Sequence, residues 1–156
     1  MHANEALLHR FYEALAAHDG ATMAACYAKD ATFRDPVFTL AGAHVGNRWT
    51  MLCERGGDSL VVRHEGVQAG ATDGSARWQA DYPFSATGRQ VCNRIEAKFT
   101  FRDGLIARHE DAFDCYAWTR MALGPVGTLL GWTPLIQGKV RRTAAAQLAK
   151  WESKRN

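Results

Sequence analysis

Apolar residues recur every three to four positions at the start of the chain. Leu7, Leu8, Phe11, Tyr12 and Leu15, behind a candidate N-cap at Asn4, predict an amphipathic helix over residues 5–18, which Asp19-Gly20 breaks. Met23 and Tyr27, four apart, mark a short second helix ending before Asp30. The period then changes. Residues 31–38, Ala-Thr-Phe-Arg-Asp-Pro-Val-Phe, read as extended, because Thr, Phe and Val favour strands and the residue before Pro36 is pushed out of the helical region. After Gly42, the spacing of Val45, Trp49 and Leu52 predicts a third helix, stopped by Gly56-Gly57.

From residue 60 the pattern is that of strands. Residues 60–69 are the least regular. Residues 76–85 alternate, with Ala76, Trp78, Ala80, Tyr82 and Phe84 on one face. Residues 91–102 repeat the period, with Val91, Asn93, Ile95, Ala97, Phe99 and Phe101 on one side. Asp103-Gly104 is the signature of a two-residue type I′ turn, so the next strand is antiparallel and places Ala107, His109, Asp111 and Phe113 on the apolar side. Tyr116, Trp118, Met121 and Ala122 return to helical spacing until Gly124-Pro125. Residues 126–137 read as a turn-rich apolar connection, and Val140, Ala144, Leu148 and Trp151 form one stripe of a C-terminal helix. The order predicts an α+β domain in which a four-strand antiparallel meander with one apolar face is covered by helices.

At 156 residues, 47% hydrophobic and 22% charged, the chain is expected to be a single domain spanning 1–156. A domain of this length buries roughly 70% of its extended-chain surface, enough to fold without disulfides or a structural metal. Cys26, Cys53, Cys92 and Cys115 form no C-x-x-C pair and read as reduced thiols, and no set of residues has metal-ligand spacing, so no metal is expected. With no visible signal peptide or membrane span, a cytoplasmic location is expected. The net charge of +3 is uneven: residues 139–156 carry +5, leaving −2 for residues 1–138. No aromatic–basic interleaving accompanies that tail, which reads as the solvated face of a helix, and neither nucleic acid nor membrane is an expected partner.

Polar residues in apolar rows are the informative ones, since an unpaired buried polar group costs about 1–3 kcal/mol. Asp35 lies in phase with Phe33 and Val37, Asn93 sits between Val91 and Ile95, and His109 and Asp111 lie between Ala107 and Phe113. Trp78 and Tyr82 on the neighbouring strand add an indole and a hydroxyl. Together these would form an apolar pocket with a few convergent polar groups, the form of a small-molecule site. Asp35, before Pro36, either caps a turn or acts as a base. His109 and Asp111 lie about 7 Å apart along a strand; they serve acid–base work or form a quiet buried pair. No nucleophile elbow, phosphate loop or cysteine–histidine pair points to covalent chemistry.

The element order and the segment Cys-Tyr-Ala-Lys-Asp-Ala-Thr-Phe-Arg-Asp-Pro-Val-Phe, residues 26–38, resemble the nuclear transport factor 2-like superfamily, specifically its SnoaL-like and ketosteroid-isomerase-like bacterial members. The resemblance covers residues 5–114, and residues 115–156 form a C-terminal helical extension. It implies a cone-shaped fold, a curved antiparallel sheet wrapped by helices around a cavity, commonly as a homodimer. The contact is expected through outward sheet residues such as Arg94, Lys98 and Glu110, or through the tail, whose Trp132 and Trp151 need burial. The segment from Tyr116 to Trp132 is expected at the cavity mouth or at that contact.

The resemblance implies Asp35 as general base. It also puts Phe11 where the isomerases carry an oxyanion-hole tyrosine, Tyr12 about 100° round the helix from it, and Ala97 where they carry a protonated acid. His109 and Asp111 are the candidate replacements. The expected function is that of a cofactor-independent isomerase, cyclase or hydrolase acting on a small, largely apolar molecule. Asp35, His109 and Asp111 are its catalytic candidates, and Phe11, Tyr12, Trp49, Trp78, Tyr82, Asn93 and Phe99 its substrate-binding candidates. The alternative is a non-catalytic binding or dimerisation module of the same fold, favoured if aromatic side chains fill the pocket.

Overall fold

A computed structural model describes residues 1–155. Helices α1 (Ala3–Ala16), α2 (Gly20–Ala25) and α3 (Ala43–Gly56) pack on one face of a six-stranded sheet. Its strands are β1 (Tyr27–Arg34), β2 (Thr39–Ala41), β3 (Val61–Ala69), β4 (Asp73–Pro83), β5 (Gln90–Arg102) and β6 (Leu105–Ala112), in the order β2-β1-β6-β5-β4-β3. The sheet is curved and does not close. Helices α4 (Cys115–Leu123), α5 (Pro125–Leu130) and α6 (Pro134–Arg155) follow.

The meander β3-β4-β5-β6 is antiparallel throughout, and Asp103 (φ 54°) and Gly104 (φ 77°) both adopt the left-handed conformation that a type I′ turn requires. The alternation in β4 and β5 holds: Ala76, Trp78, Ala80, Val91, Asn93, Ile95, Ala97 and Phe99 are buried. The core lies between this face and α1 and α3, where Leu8, Phe11, Tyr12, Leu15, Trp49, Phe33 and Phe99 meet. Cys26 and Cys53 are buried and Cys92 and Cys115 half-buried, all as free thiols.

Four features depart from the sequence reading. The strand expected over 31–38 is a hairpin. Pro36 offers no N–H, and the Asp35 N–H turns to the Phe38 carbonyl, so β1 ends at Arg34 and β2 returns antiparallel to it. Tyr27 belongs to β1 rather than to the second helix, because β6 captures the chain there: the Ile106 N–H donates to the Cys26 carbonyl. That pairing of β1 with β6 is parallel, the one departure from an antiparallel sheet among the described residues. Finally, a bulge between Thr100 and Phe101 rephases β6, so Ile106 is buried where Ala107 was expected, while His109 and Asp111 keep the inward phase.

The glycine-rich segment after Gly124 is a helix rather than a turn-rich connection. Gly124 (φ 64°) breaks the chain and Pro125 starts α5. Gly127 is needed for close approach rather than for a turn, since a Cβ there would collide with the Thr119 carbonyl of α4.

Candidate active site

Asp35 sits at the end of β1 in a turn that it makes itself. Its Oδ1 accepts the N–H groups of Val37 (2.7 Å) and Phe38 (2.6 Å), so the capping role is real and occupies one oxygen. Oδ2 is left, 3.9 Å from Arg48 Nη2. The side chain lies at the wall of a cavity of about 630 Å³ between the sheet and the C-terminal helices. Burial is the largest influence on its carboxyl and pushes the pKa above the usual carboxylate range. Arg48 and the two backbone N–H groups pull against that, and Asp111 adds to it.

His109 and Asp111 form a direct pair, with Nε2 2.8 Å from Asp111 Oδ1, in the middle of a relay that crosses three elements. Trp49 on α3 donates its indole N–H to the Tyr27 hydroxyl (2.8 Å), and that hydroxyl lies 2.7 Å from His109 Nδ1. An indole only donates, so Tyr27 accepts from Trp49 and directs its own proton to Nδ1. His109 is thereby assigned the tautomer with the proton on Nε2, whose N–H donates to Asp111 Oδ1. The Trp78 indole N–H also approaches Asp111 Oδ1, at 3.5 Å. His109 is fully buried among Phe11, Phe33, Trp49 and Phe99, whereas Asp111 reaches the cavity wall.

Seven residues were expected to hold substrate. Trp78, Tyr82 and Asn93 line the cavity. The Tyr82 hydroxyl accepts the Trp118 indole N–H (2.7 Å), which leaves its own proton free to be donated, and burial pushes its pKa up. Phe11, Tyr12, Trp49 and Phe99 are core residues behind that wall. Rows of aromatic side chains fill the inner end between α1, α3 and the sheet, which moves the open volume outward, toward α4, α5 and α6.

Two parts of the wall were missed. Arg48 follows Val45 by three positions and precedes Leu52 by four, so it lies on the inward face of α3 beside Trp49; helical spacing was the available signal. The other is α6, whose predicted stripe divides in two. Ile136, Val140 and Ala144 wall the cavity, while Leu148 and Trp151 pack on Met51 of α3. Trp151 is buried within the chain, its indole N–H donating to Glu54 (2.7 Å), and Trp132 is 65% exposed. Arg141 donates to the Pro36 carbonyl (2.9 Å), tying α6 to the Asp35 turn, and Trp118, Leu123 and Val126 bring α4 and α5 to the mouth.

Trp151→Ala is therefore expected to loosen α6. A large-to-small change of this kind costs about 3–5 kcal/mol when buried, and each 1.4 kcal/mol lost from a local closure raises the open fraction about tenfold. Tryptic cleavage between Lys139 and Arg142 should accelerate at least about tenfold; an unchanged rate would mean that other contacts hold the helix.

A curved, unclosed sheet wrapped on one face by N-terminal helices defines the nuclear transport factor 2-like class. Within it, the chain belongs to the SnoaL-like domain family, whose model matches residues 8–109. No curated protein matches it in sequence. Among solved structures, a nuclear transport factor 2-like protein of unknown function from Burkholderia pseudomallei superposes with a TM-score of 0.65 at 17% identity, over 78% of this chain and 98% of that one. A provisionally named polyketide cyclase from Xanthomonas campestris gives 0.61 at 20% identity, over 76% and 96%. The LEH-like epoxide hydrolase of M. tuberculosis gives 0.59 at 20% identity, over 82% and 95%. No helix among the described residues is long and apolar enough to cross a membrane.

Proposed function

We propose that the protein is a cofactor-independent enzyme of the isomerase, cyclase or hydrolase kind, in which Asp35 moves a proton on a small, largely apolar substrate. The observation that carries this reading is the division of labour at Asp35. One oxygen is fixed by two backbone N–H groups, and the other is left at the wall of an apolar cavity whose burial raises the carboxyl's pKa. A raised pKa brings a carboxylate closer to a useful base near neutrality. Asp111 is the second group at the substrate, and His109 acts through it as a positioning residue, held by Tyr27 and Trp49. Two proteins of the same fold, one provisionally named a polyketide cyclase and one an epoxide hydrolase, support a cyclase or hydrolase reading.

The non-catalytic reading would be favoured by a filled pocket. The aromatic rows fill only its inner end, and the remaining volume is in the range of small-molecule sites. Catalysed exchange of the α-hydrogens of an apolar ketone such as 2-tetralone with deuterium, followed by proton NMR, is the expected result.

The same reading includes a homodimer. Leu129, Trp132 and Leu135 are 71%, 65% and 75% exposed, which supports the tail over the sheet residues Arg94, Lys98 and Glu110 as its contact. Light scattering at micromolar concentration should give twice the monomer mass; a monomeric mass would refute the dimer.

A further inference from the structure

The Arg48 guanidinium enters the cavity wall from α3, with its carbon 4.2 Å from the centre of a Trp49 ring, 5.4 Å from Phe38 and 5.7 Å from Phe33. Its side chain is 14% exposed and stacked among aromatic rings, yet its hydrogen-bond donors are poorly matched for a buried cation. Nη1 is buried with no hydrogen-bond partner, and the nearest carboxylate oxygen to Nη2, Asp35 Oδ2, is 3.9 Å away, beyond hydrogen-bond reach. Asp35 Oδ1 is held by the N–H groups of Val37 and Phe38 and faces away from that pairing. A guanidinium carries five donors and does not shed its proton, so neutralisation offers no escape. The cavity wall carries acceptors at Asn93, Asp111 and Gln147, and none of them reaches Nη1.

We infer that Arg48 anchors a single anionic oxygen on an otherwise apolar ligand, either a carboxylate of the substrate or the enolate oxygen that forms when Asp35 takes the α-proton. This rests on the reading of the cavity as a substrate site. A charge-assisted hydrogen bond to an anion is about twice as strong as a neutral one, and the low-dielectric wall strengthens it further. Asp35 and Asp111 oppose a second negative charge. The anchor also sets orientation, since an oxygen held at Arg48 puts the carbon α to its C–O group, which carries the proton to be moved, on the side of Asp35 Oδ2. Tyr82, with a free proton, is the second donor in reach of the bound ring.

The test uses the full chain and two fluorescent probes of one shape, anthracene-2-carboxylate and its neutral carboxamide. The parent should bind the carboxylate at least about tenfold tighter, the return on one charge-assisted pair. Arg48→Met should erase that preference by weakening the carboxylate far more than the carboxamide, whose retained binding also reports that the cavity of the variant is intact. Arg48→Lys, which keeps the charge but loses the fork, should leave an intermediate preference. If the parent binds both probes equally, or if Arg48→Met and Arg48→Lys both keep the parent's preference, the anchor is overturned while the cavity reading stands. Binding of neither probe would overturn both.

Discussion

Asp35→Asn is expected to keep the fold, melt at or above the parent's temperature at pH 7, and lose about 10²–10⁴-fold in proton transfer, the usual contribution of a positioned general base. The asparagine carbonyl can still accept from Val37 and Phe38, so the turn survives. The charge does not, and with it goes the desolvation that raises the pKa of Asp35. The sign follows from linkage. A carboxyl whose folded pKa is raised binds its proton more tightly in the native state, so its contribution to stability is fully present below the unfolded value of about 3.9 and is lost as the pH rises through the folded pKa. The advantage of the Asn variant should therefore be absent near pH 3, grow as the pH rises through the folded pKa and then level off. Asp35→Ala, which deletes the cap as well, should lose about 1 kcal/mol relative to Asn at every pH. An Asn variant that melts well below the parent at pH 7 would assign Asp35 to structure alone.

His109→Ala carries the largest expected loss of stability. The imidazole packs against Phe99 at 4.3 Å and Phe33 at 4.9 Å between ring centres, and removing a buried ring of this size costs about 3–5 kcal/mol. The Tyr27 hydroxyl loses its acceptor in the closed interior, which adds about 1–3 kcal/mol, whereas Asp111 loses its donor at the cavity wall, where water can replace it. Urea denaturation should show the midpoint falling by most of the protein's margin, given that whole domains are stable by about 5–15 kcal/mol. Tyr27→Phe, which keeps the ring and removes only the link to Trp49 and His109, should cost less, about 2 kcal/mol. A His109→Ala protein as stable as its parent would show that the relay holds nothing together.

The parts of the molecule legible in the sequence are those governed by local period. Strands β4 and β5 alternate because one face is buried along their whole length, and Asp103-Gly104 has few uses besides a tight hairpin. Asp35, Asn93, His109 and Asp111 stood out as polar interruptions of such rows. What stayed hidden depends on partners distant in sequence. The parallel pairing that pulls Tyr27 out of its helical phase with Met23 is set by β6, about eighty residues later. The bulge that buries Ile106 is a property of two strands, so alternation along one of them cannot reveal it. Trp49, a substrate-binding candidate, does face inward, yet inward here means the filled end behind the cavity. Arg48 obeys the helical spacing, but a charged side chain adds nothing to the apolar signal by which that spacing is read. The role of α6 depends on where a long and mostly polar helix comes to rest, and only Leu148 and Trp151, the two residues that it buries, hinted at a docking face.

The central claim is that Asp35 takes a proton from a ligand held in the cavity. Its most direct test is the rate at which the α-hydrogens of 2-tetralone exchange with deuterium in buffered heavy water at neutral pH, followed by proton NMR with the parent and with Asp35→Asn at equal concentration. The predicted result is exchange accelerated by the parent in proportion to protein added, and about 10²–10⁴-fold slower catalysis by the Asn variant. Equal acceleration by the two proteins, or none by the parent, would contradict it.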